Sequence, residues 1–547
     1  MRAHELDDAA GVTLEADVAV VGAGPVGMTA AALLAAHGLG VVVVERNATT
    51  SDAPKAISID DEALRVYQAA GLAERAMRII LPGTGTKYFD ADGEPVFQAR
   101  AEVPYRFGHP FKNPFAQPDL ERELHAHLSE HPRTHVLMGT ELTGLTQDEW
   151  GAELRCRSAD GPVTVKAAYV LGCDGGRSKV REVLDIGMTG RSFQDVWLVA
   201  DVLQDPHTER YGMHHGDPER PHVIVPGRDG RCRYEFYLYP GECAAGDPPP
   251  FELVRRLLEP FRPLAPEQIQ RAVTYRFNAV VADRWRVGRC FLLGDAAHMM
   301  PPFAGQGLNS GIRDAANLCW KIADVLGGRL TDEALDTYET ERRPHAEATV
   351  ALSARLGRIV MTTDARYAAR RDAYVRDLIA TPEGRAYLEH MRYRPAHHYT
   401  DGLVDTGADA DGADAAPAGV MIGQPRVFDV EHGRVRLLDE VTGNGWVLLG
   451  VGVPEDGYAA VTAALAPLRP VVAHVAVGER LPSSPDAPRV LVDVDGGLET
   501  EMAPYRGRYV LLRPDRFVAA SWAPDALPEL AKALALNTAG DALPLAG

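Results

Sequence analysis

The chain has 547 residues, 46% of them hydrophobic, enough for more than one core, since single cores stop growing near about 250–300 residues. Its 76 acidic residues outnumber 57 basic ones, and the formal charge of −19 argues against nucleic acid or an anionic membrane as the main partner. Six cysteines, Cys156, Cys173, Cys232, Cys243, Cys290 and Cys319, stand far apart with no C-x-x-C pair, so free thiols and no metal are expected.

Met1–Asp17 carries five carboxylates and no apolar signal core, which predicts a cytoplasmic protein. The apolar run Val18–Val44 is broken by glycines and does not read as a membrane span. Within it, Asp17–Val21 reads as a strand, Met28–His37 as a helix and Val41–Val44 as a second strand. Between the first strand and the helix lies Gly22-Ala23-Gly24-Pro25-Val26-Gly27. Glycines there permit a tight turn and let a pyrophosphate approach the helix N-terminus, where amide donors and the dipole favour negative charge. Glu45 ends the second strand 18 residues after Gly27, placed to bind ribose hydroxyls. The motif fits a dinucleotide without separating FAD from NAD.

Tyr169–Leu171 and Cys290–Leu293 read as later strands of the same parallel sheet, so the nucleotide domain is discontinuous. The first leads into Gly172-Cys173-Asp174-Gly175-Gly176, where Asp174 can hold cofactor phosphate or ribose. Between these strands Arg231–Tyr239 alternates with a period of two, predicting an antiparallel strand of a substrate domain over roughly Arg191–Asp283. His214-His215 reads as a solvated loop, for want of a third metal ligand.

The second strand delivers Asp295 to its C-terminal end, where a carboxylate can accept from the ribityl chain of a flavin. A turn containing Gly305 and Gly307 then feeds a helix over Leu308–Leu326 with a buried stripe of Ile312, Ala315, Ala316, Cys319, Ile322, Ala323 and Leu326. Its N-terminus can stabilise negative charge developing on a reduced flavin. His298 within this motif reads as a structural histidine. A second helical run covers Asp332–Arg371, Asp401–Gly419 is a linker of Asp, Ala and Gly, and Val435–Leu438, Gly445–Leu449, Val490–Val494 and Tyr509–Leu512 are strands of a separate small domain.

Together Gly22–Gly27, Glu45-Arg46, Asp174-Gly175 and Gly294-Asp295 resemble the FAD motifs of the single-component flavoprotein aromatic hydroxylases, the para-hydroxybenzoate hydroxylase fold. The likeness extends to the 3-(3-hydroxyphenyl)propionate hydroxylase branch through Ile59–Arg65, Arg233–Phe236, Gly305–Gly311 and Arg513–Val518. It implies an α/β fold: a Rossmann-like FAD domain over 14–90, 113–190 and 284–400, a β-sheet substrate domain over 91–112 and 191–283, a linker over 401–419 and a thioredoxin-like domain over 420–547. That last domain has no cysteine, which excludes thiol exchange and leaves it closing the molecule or joining copies into a homo-oligomer.

The resemblance further implies that Arg46 and Gln117 touch FAD, that Asp295 binds its ribityl or phosphate region, that Leu308 and Asn309 lie at the pyrimidine edge and that Pro302 faces the ring. Lys55 stands where the family pattern has arginine; it keeps a charge for phosphate but not a two-pronged contact, so nicotinamide handling is where this chain departs. The implied reaction consumes NAD(P)H and O2 and hydroxylates a phenolic ring through a flavin C4a-hydroperoxide. The substrate is a phenylpropanoid-type acid or an aromatic natural-product intermediate, a polyketide or hydroxypyridine. Glu235, Tyr237 and Tyr239 on one strand face, with His222 alongside, are the groups offered for forming the phenolate, and that face either meets the flavin or is solvated. An NAD-dependent dehydrogenase would leave Asp295–Asn309 without a purpose. A non-catalytic flavin-binding or scaffold protein is the other alternative. A flavin halogenase lacks support because its W-x-W-x-I-P motif is absent.

Overall fold

A computed structural model describes residues 11–101, 103–405, 416–454, 457–476 and 488–525, together with Leu534 and Leu536. Residues 406–415 of the expected linker, and parts of the expected last domain, lie outside the described residues. Three large sheets, with two small ones of three and two strands, organise the described residues.

The first sheet has eight strands. Its parallel centre runs Cys290–Leu292, Gly161–Gly172, Val12–Val21, Val41–Val44 and Thr134–Leu137. Val18, Val20, Val41, Val42, Val43, Tyr169 and Val170 are fully buried, as a parallel sheet covered on both faces demands. Pro25–Ala36 packs on it, with Pro25 in the first turn, where its missing N–H costs nothing. The strands come from three separated segments, so the nucleotide half is discontinuous.

Gly307–Leu326 is the molecule's central helix. The expected stripe is buried except for the half-buried Ala316, but so is the opposite side: Arg313, Asp314, Asn317, Lys321 and Asp324 are each at most 6% exposed. Each has a charged or polar partner from another element, which is how buried charges are tolerated. The following helical run breaks into Thr337–Val360 and Ala365–Ile379, where Asp364 accepts from the N–H groups of Arg366 and Tyr367 and starts a new helix.

The second large sheet has seven strands in the order Ile269–Tyr275, Val196–Val202, Cys232–Leu238, His222–Pro226, Gly212–His215, Thr86–Phe89 and Pro95–Ala99. One face carries Cys232, Tyr234, Phe236 and Leu238 against Phe251–Leu258, whose Leu253, Val254, Leu257 and Leu258 fill that core. The other face looks toward the nucleotide domain. Thr86–Phe89 precedes residue 91, where this domain was expected to start, because its parallel pairing with Gly212–His215 is a long-range contact without local signature.

A third sheet of seven strands, mixed in direction, forms from residues 426–522. It is not free-standing. Trp446, Leu448, Tyr458, Tyr509 and Leu511 belong to the same apolar core as the nucleotide sheet. Arg65 pairs with Asp439, Arg513 with Glu341, and the indole of Trp446 donates to Asp324, all buried. Among the described residues no helix is long and apolar enough to cross a membrane.

Candidate functional site

A cavity of about 770 Å³ extends from the Gly22–Gly27 turn to the inward face of the substrate sheet. At one end the glycines divide by role. Gly22 has φ +104°, and a Cβ on it would lie 2.5 Å from the Cys173 carbonyl oxygen; a Cβ on Gly27 would lie 2.0 Å from the Gly22 carbonyl oxygen. These two close the turn on itself. Gly24 and Gly307 line the cavity, and a Cβ on either would meet no protein atom within 4 Å. Both helices that begin there, Pro25–Ala36 and Gly307–Leu326, lack a side-chain cap and an acid in the first turn, so their N-terminal amides are left for another acceptor.

Carboxylates surround this end. Glu45 accepts from the Ala23 N–H (2.9 Å) and the Asn47 N–H (2.8 Å), tying the glycine turn to the second strand. One oxygen of Asp174 accepts from the N–H groups of Lys179 and Val180, while the other is buried with no partner among the described residues. Asp295 projects into the cavity with no hydrogen-bond partner among the described residues, and burial raises its carboxyl pKa, opposed by His298 and Lys55. Gln117 accepts from Ala56 N–H at 2.8 Å and donates to Glu121 at 2.7 Å, holding the segment that presents Lys55. Arg46 and Leu308 line the same space.

At the other end, strand register sets the wall. Glu235 pairs with Val223, which pairs with His214, which pairs with Tyr88; beside that row run Arg233, Val225, Gly212 and Thr86. Directly opposed residues share a face, so Glu235, Val223, His214, Arg233, Val225 and Thr86 all front the cavity. Phe277, Phe303, Tyr275 and Pro302 complete an apolar surround. Glu235 is 4% exposed and accepts no side-chain hydrogen bond among the described residues; its nearest cation is Arg233 at 3.8 Å. Burial raises its pKa, Arg233 opposes, and Asp201 adds. Of the polar strand face, Glu235 is therefore buried in the wall, while Tyr237 is half-buried and Tyr239 is exposed.

The expected site residues do not all meet. Gly22, Gly24, Pro25, Val26, Glu45, Arg46, Lys55, Gln117, Asp174, Asp295, Gly305, Gly307, Leu308, Glu235 and Pro302 line the cavity. Gly27 packs beneath the turn, and Asn309 stands behind it, donating to Gly305 and Ser58 carbonyls and accepting from Asp60 N–H. Tyr237 lies off the lining, edge-on to Trp197. His222 falls on the opposite sheet face, stacked on His215 and Phe236, because its register partner is Phe236 rather than Glu235. His214-His215 is a strand, not a solvated loop, and His214 is buried in the wall. His298 is buried against Asp314 at 2.8 Å. Lys112, Thr86, His214, Tyr275 and Phe277 were missed, and they carry no motif.

Two open helix N-termini, the unpartnered acceptors of Asp174 and Asp295, and clear space at Gly24 and Gly307 fit a dinucleotide's pyrophosphate and sugar hydroxyls. A parallel nucleotide sheet whose cavity is closed by an antiparallel-rich sheet leaves room for a flavin with a substrate against it. A family model described as FAD binding domain matches residues 15–353, and one described as HcaD C-terminal domain matches 419–537. The 3-(3-hydroxy-phenyl)propionate/3-hydroxycinnamic acid hydroxylase of Mycolicibacterium smegmatis is 36% identical over 527 residues, 95% of this chain and 92% of that one. A second hydroxylase of that description, from Burkholderia vietnamiensis, is 37% identical over 514 residues, 92% of this chain and 93% of its own. Among solved structures, the flavin-dependent monooxygenase PieE in complex with FAD and substrate aligns with TM-score 0.76 and 23% identity, covering 95% and 98% of the two chains. OxyS anhydrotetracycline hydroxylase from Streptomyces rimosus aligns with TM-score 0.71 and 26% identity, covering 95% and 99%.

The chain belongs to the FAD binding domain family. It is an FAD-dependent aromatic monooxygenase, and NAD(P)H is the electron donor typical of that family. This sets aside the dehydrogenase and scaffold alternatives.

Proposed function

We propose that this chain hydroxylates the ring of a phenolic acid of the phenylpropanoid type, the ring lying between Val223, Val225, Phe277 and Phe303. When bound and reduced by the nicotinamide donor, FAD supplies O2 activation and delivery of one oxygen atom. The chain's own residues bind, orient and move a proton. Glu45, Arg46, Asp174, Lys55 and the amides beginning Pro25–Ala36 would hold the adenosine and pyrophosphate, and Asp295 the ribityl hydroxyls. The amides beginning Gly307–Leu326, backed by Leu308 and Gly305, would receive negative charge at the ring's polar edge.

Glu235 is the single observation that carries the substrate side. It is a buried carboxylate without a side-chain donor, facing an apolar cavity, with a pKa raised by burial. Such a group takes the proton of a phenol more readily than an exposed carboxylate would, and the phenolate is the better nucleophile. Tyr275 beside it is held protonated by burial and by Glu235, ready to donate to the phenolate oxygen. The aromatic wall excludes water from the reacting atoms.

The test is to screen phenolic acids for stimulated NAD(P)H oxidation together with a product heavier by one oxygen, in wild type and Glu235→Gln. The variant should keep its flavin and lose about 10²–10⁴-fold in turnover. Unchanged turnover removes Glu235 from the proton transfer, and no phenol stimulating wild type overturns the substrate class.

A further inference from the structure

Lys112 lines the cavity yet is only 9% exposed, and among the described residues its ammonium has one hydrogen-bond partner, the neutral hydroxyl of Thr86 at 3.3 Å. No carboxylate stands within ion-pair distance of it among the described residues. Burial pulls it down to about 7, Arg394 adds to that, and Asp60 opposes. A cation buried with one long neutral contact is a cost to the fold unless a ligand anion repays it.

The backbone is arranged to present this side chain. Lys112 has φ +50°, a left-handed conformation uncommon for a residue with a Cβ. Gly83 passes so close that a Cβ there would lie 2.0 Å from the Lys112 carbonyl oxygen. Asn113 pins the turn by accepting from Gly83 N–H and donating to the carbonyls of Ile59 and Pro110. Thr86 is fixed from the other side by its pairing with Gly212.

Position gives the group its meaning. Glu235 and Thr86 lie on strands separated by two others, three steps of about 4.8 Å or roughly 14 Å across the wall. Val223 and Val225 occupy the wall between. His214, next to Lys112, is kept neutral by burial and by the lysine itself, so it adds a hydrogen-bonding imidazole rather than a second charge. The substrate wall is thus polar at its two sides and apolar between, matching an aromatic ring with a hydroxyl on one side and an acid on the other.

We propose that Lys112, seated on Thr86, is the specificity-determining anchor for the side-chain carboxylate of the substrate, on the side of the substrate-sheet wall away from Glu235. This rests on the phenolic-acid reading above, and it goes further in stating which residue selects the acid.

The experiment uses the FAD-loaded enzyme with a panel of phenolic arylpropionates and arylacrylates, each paired with its neutral methyl ester. Dissociation constants come from flavin difference spectra, and KM and kcat from NAD(P)H oxidation. Wild type should favour at least one acid over its ester by about thirtyfold or more. Lys112→Met should remove that preference by raising the acid's Kd and KM while leaving ester binding and flavin content in place, and Lys112→Arg should restore part of it. A Lys112→Met enzyme that keeps wild-type acid-over-ester preference, or a wild type that binds no acid better than its ester, overturns the anchor. If acids bind selectively through Lys112 but none is hydroxylated, the anchor stands and the hydroxylation reading falls; if acid and ester are both hydroxylated equally, the reverse holds.

Discussion

Arg233 and Asp201, on neighbouring strands of the substrate sheet, form a buried two-pronged ion pair at 2.6 and 3.0 Å, and the rest of the guanidinium donates to the backbone carbonyls of Pro54 and Lys55. The substrate sheet thereby holds the segment that carries Lys55 over the cofactor end of the cavity. Arg233→Met leaves the buried Asp201 with Arg271 at 3.5 Å as its remaining ion partner and should cost about 3 kcal/mol of stability. It should also raise the FAD dissociation constant about tenfold, ~1.4 kcal/mol. Adding Asp201→Asn should recover much of the stability but not the flavin affinity, because the carbonyls of Pro54 and Lys55 stay unheld. Thermal melts and flavin titration of the single and double variants separate the two effects.

Gly24 and Gly27 should respond differently to the same added methyl. Gly24→Ala meets no protein atom, so the fold should melt as wild type while FAD affinity drops about tenfold or more. Gly27→Ala drives a Cβ into the Gly22 carbonyl, backbone against backbone, so the nucleotide domain itself should be destabilised. Equal flavin affinity in Gly24→Ala and wild type would show that the cofactor does not approach the turn there.

Lys112→Met should raise the stability of the ligand-free protein. The folded-state pKa of Lys112 is lowered to about 7 from its ordinary 10.5, so the folded chain binds fewer protons than the unfolded one between those values. Wild-type stability from this group therefore rises with pH through that window. Asp60, Arg394 and His214 are the charged or titratable neighbours that bear on it. The gain from Lys112→Met should be largest below pH 7, about 2 °C or more in Tm, and shrink toward pH 10. A variant that melts lower at pH 6.5 would mean that the ammonium already has a stabilising partner.

Docking of the last domain should fail in acid. Glu341 receives both Arg513 (2.7 and 2.8 Å) and Lys321 (2.7 Å), all fully buried. Burial alone would raise its carboxyl, but Arg513 and then Lys321 hold it at about 2, below its ordinary 4.5. A depressed acid contributes its stability above the unfolded value and loses it as pH falls through the folded one. Limited proteolysis should therefore start to release residues 416–525 below about pH 4.5, and Arg513→Met should do so at neutral pH. Resistance of that variant at neutral pH would place the docking energy in Trp446 and its apolar neighbours instead.

The cofactor half was legible because its signals are local. Gly22, Gly24, Glu45 and Asp295 each mark a turn or strand end that the adjacent residues build, and the helix expected over Leu308–Leu326 runs Gly307–Leu326. The substrate half is set by register, which local pattern does not carry. Alternation in Arg231–Tyr239 showed two faces but not which was inward; the pairing of Val223 with Glu235 decides that, and it turns His222 outward. Lys112 and His214 reach the cavity from segments with no chemical motif. Burial of the polar side of Gly307–Leu326 has no local sign, because its partners, Asp60, Glu62, Glu341 and Arg342, are distant in sequence. One missed signal was local: Thr362-Thr363-Asp364 is a helix start, and it splits the long helical run.

We expect one cavity to seat FAD, with Asp295 at its ribityl chain and the glycine turn at its adenosine end. Titrating FAD into flavin-stripped wild type and Asp295→Ala, followed by absorbance and fluorescence, tests it most directly. The expected result is a yellow, stoichiometric wild-type complex and an affinity at least about tenfold weaker in the variant, with an unchanged melt of the flavin-free protein. A wild type that takes up no FAD, or a variant that binds it as tightly, would contradict it.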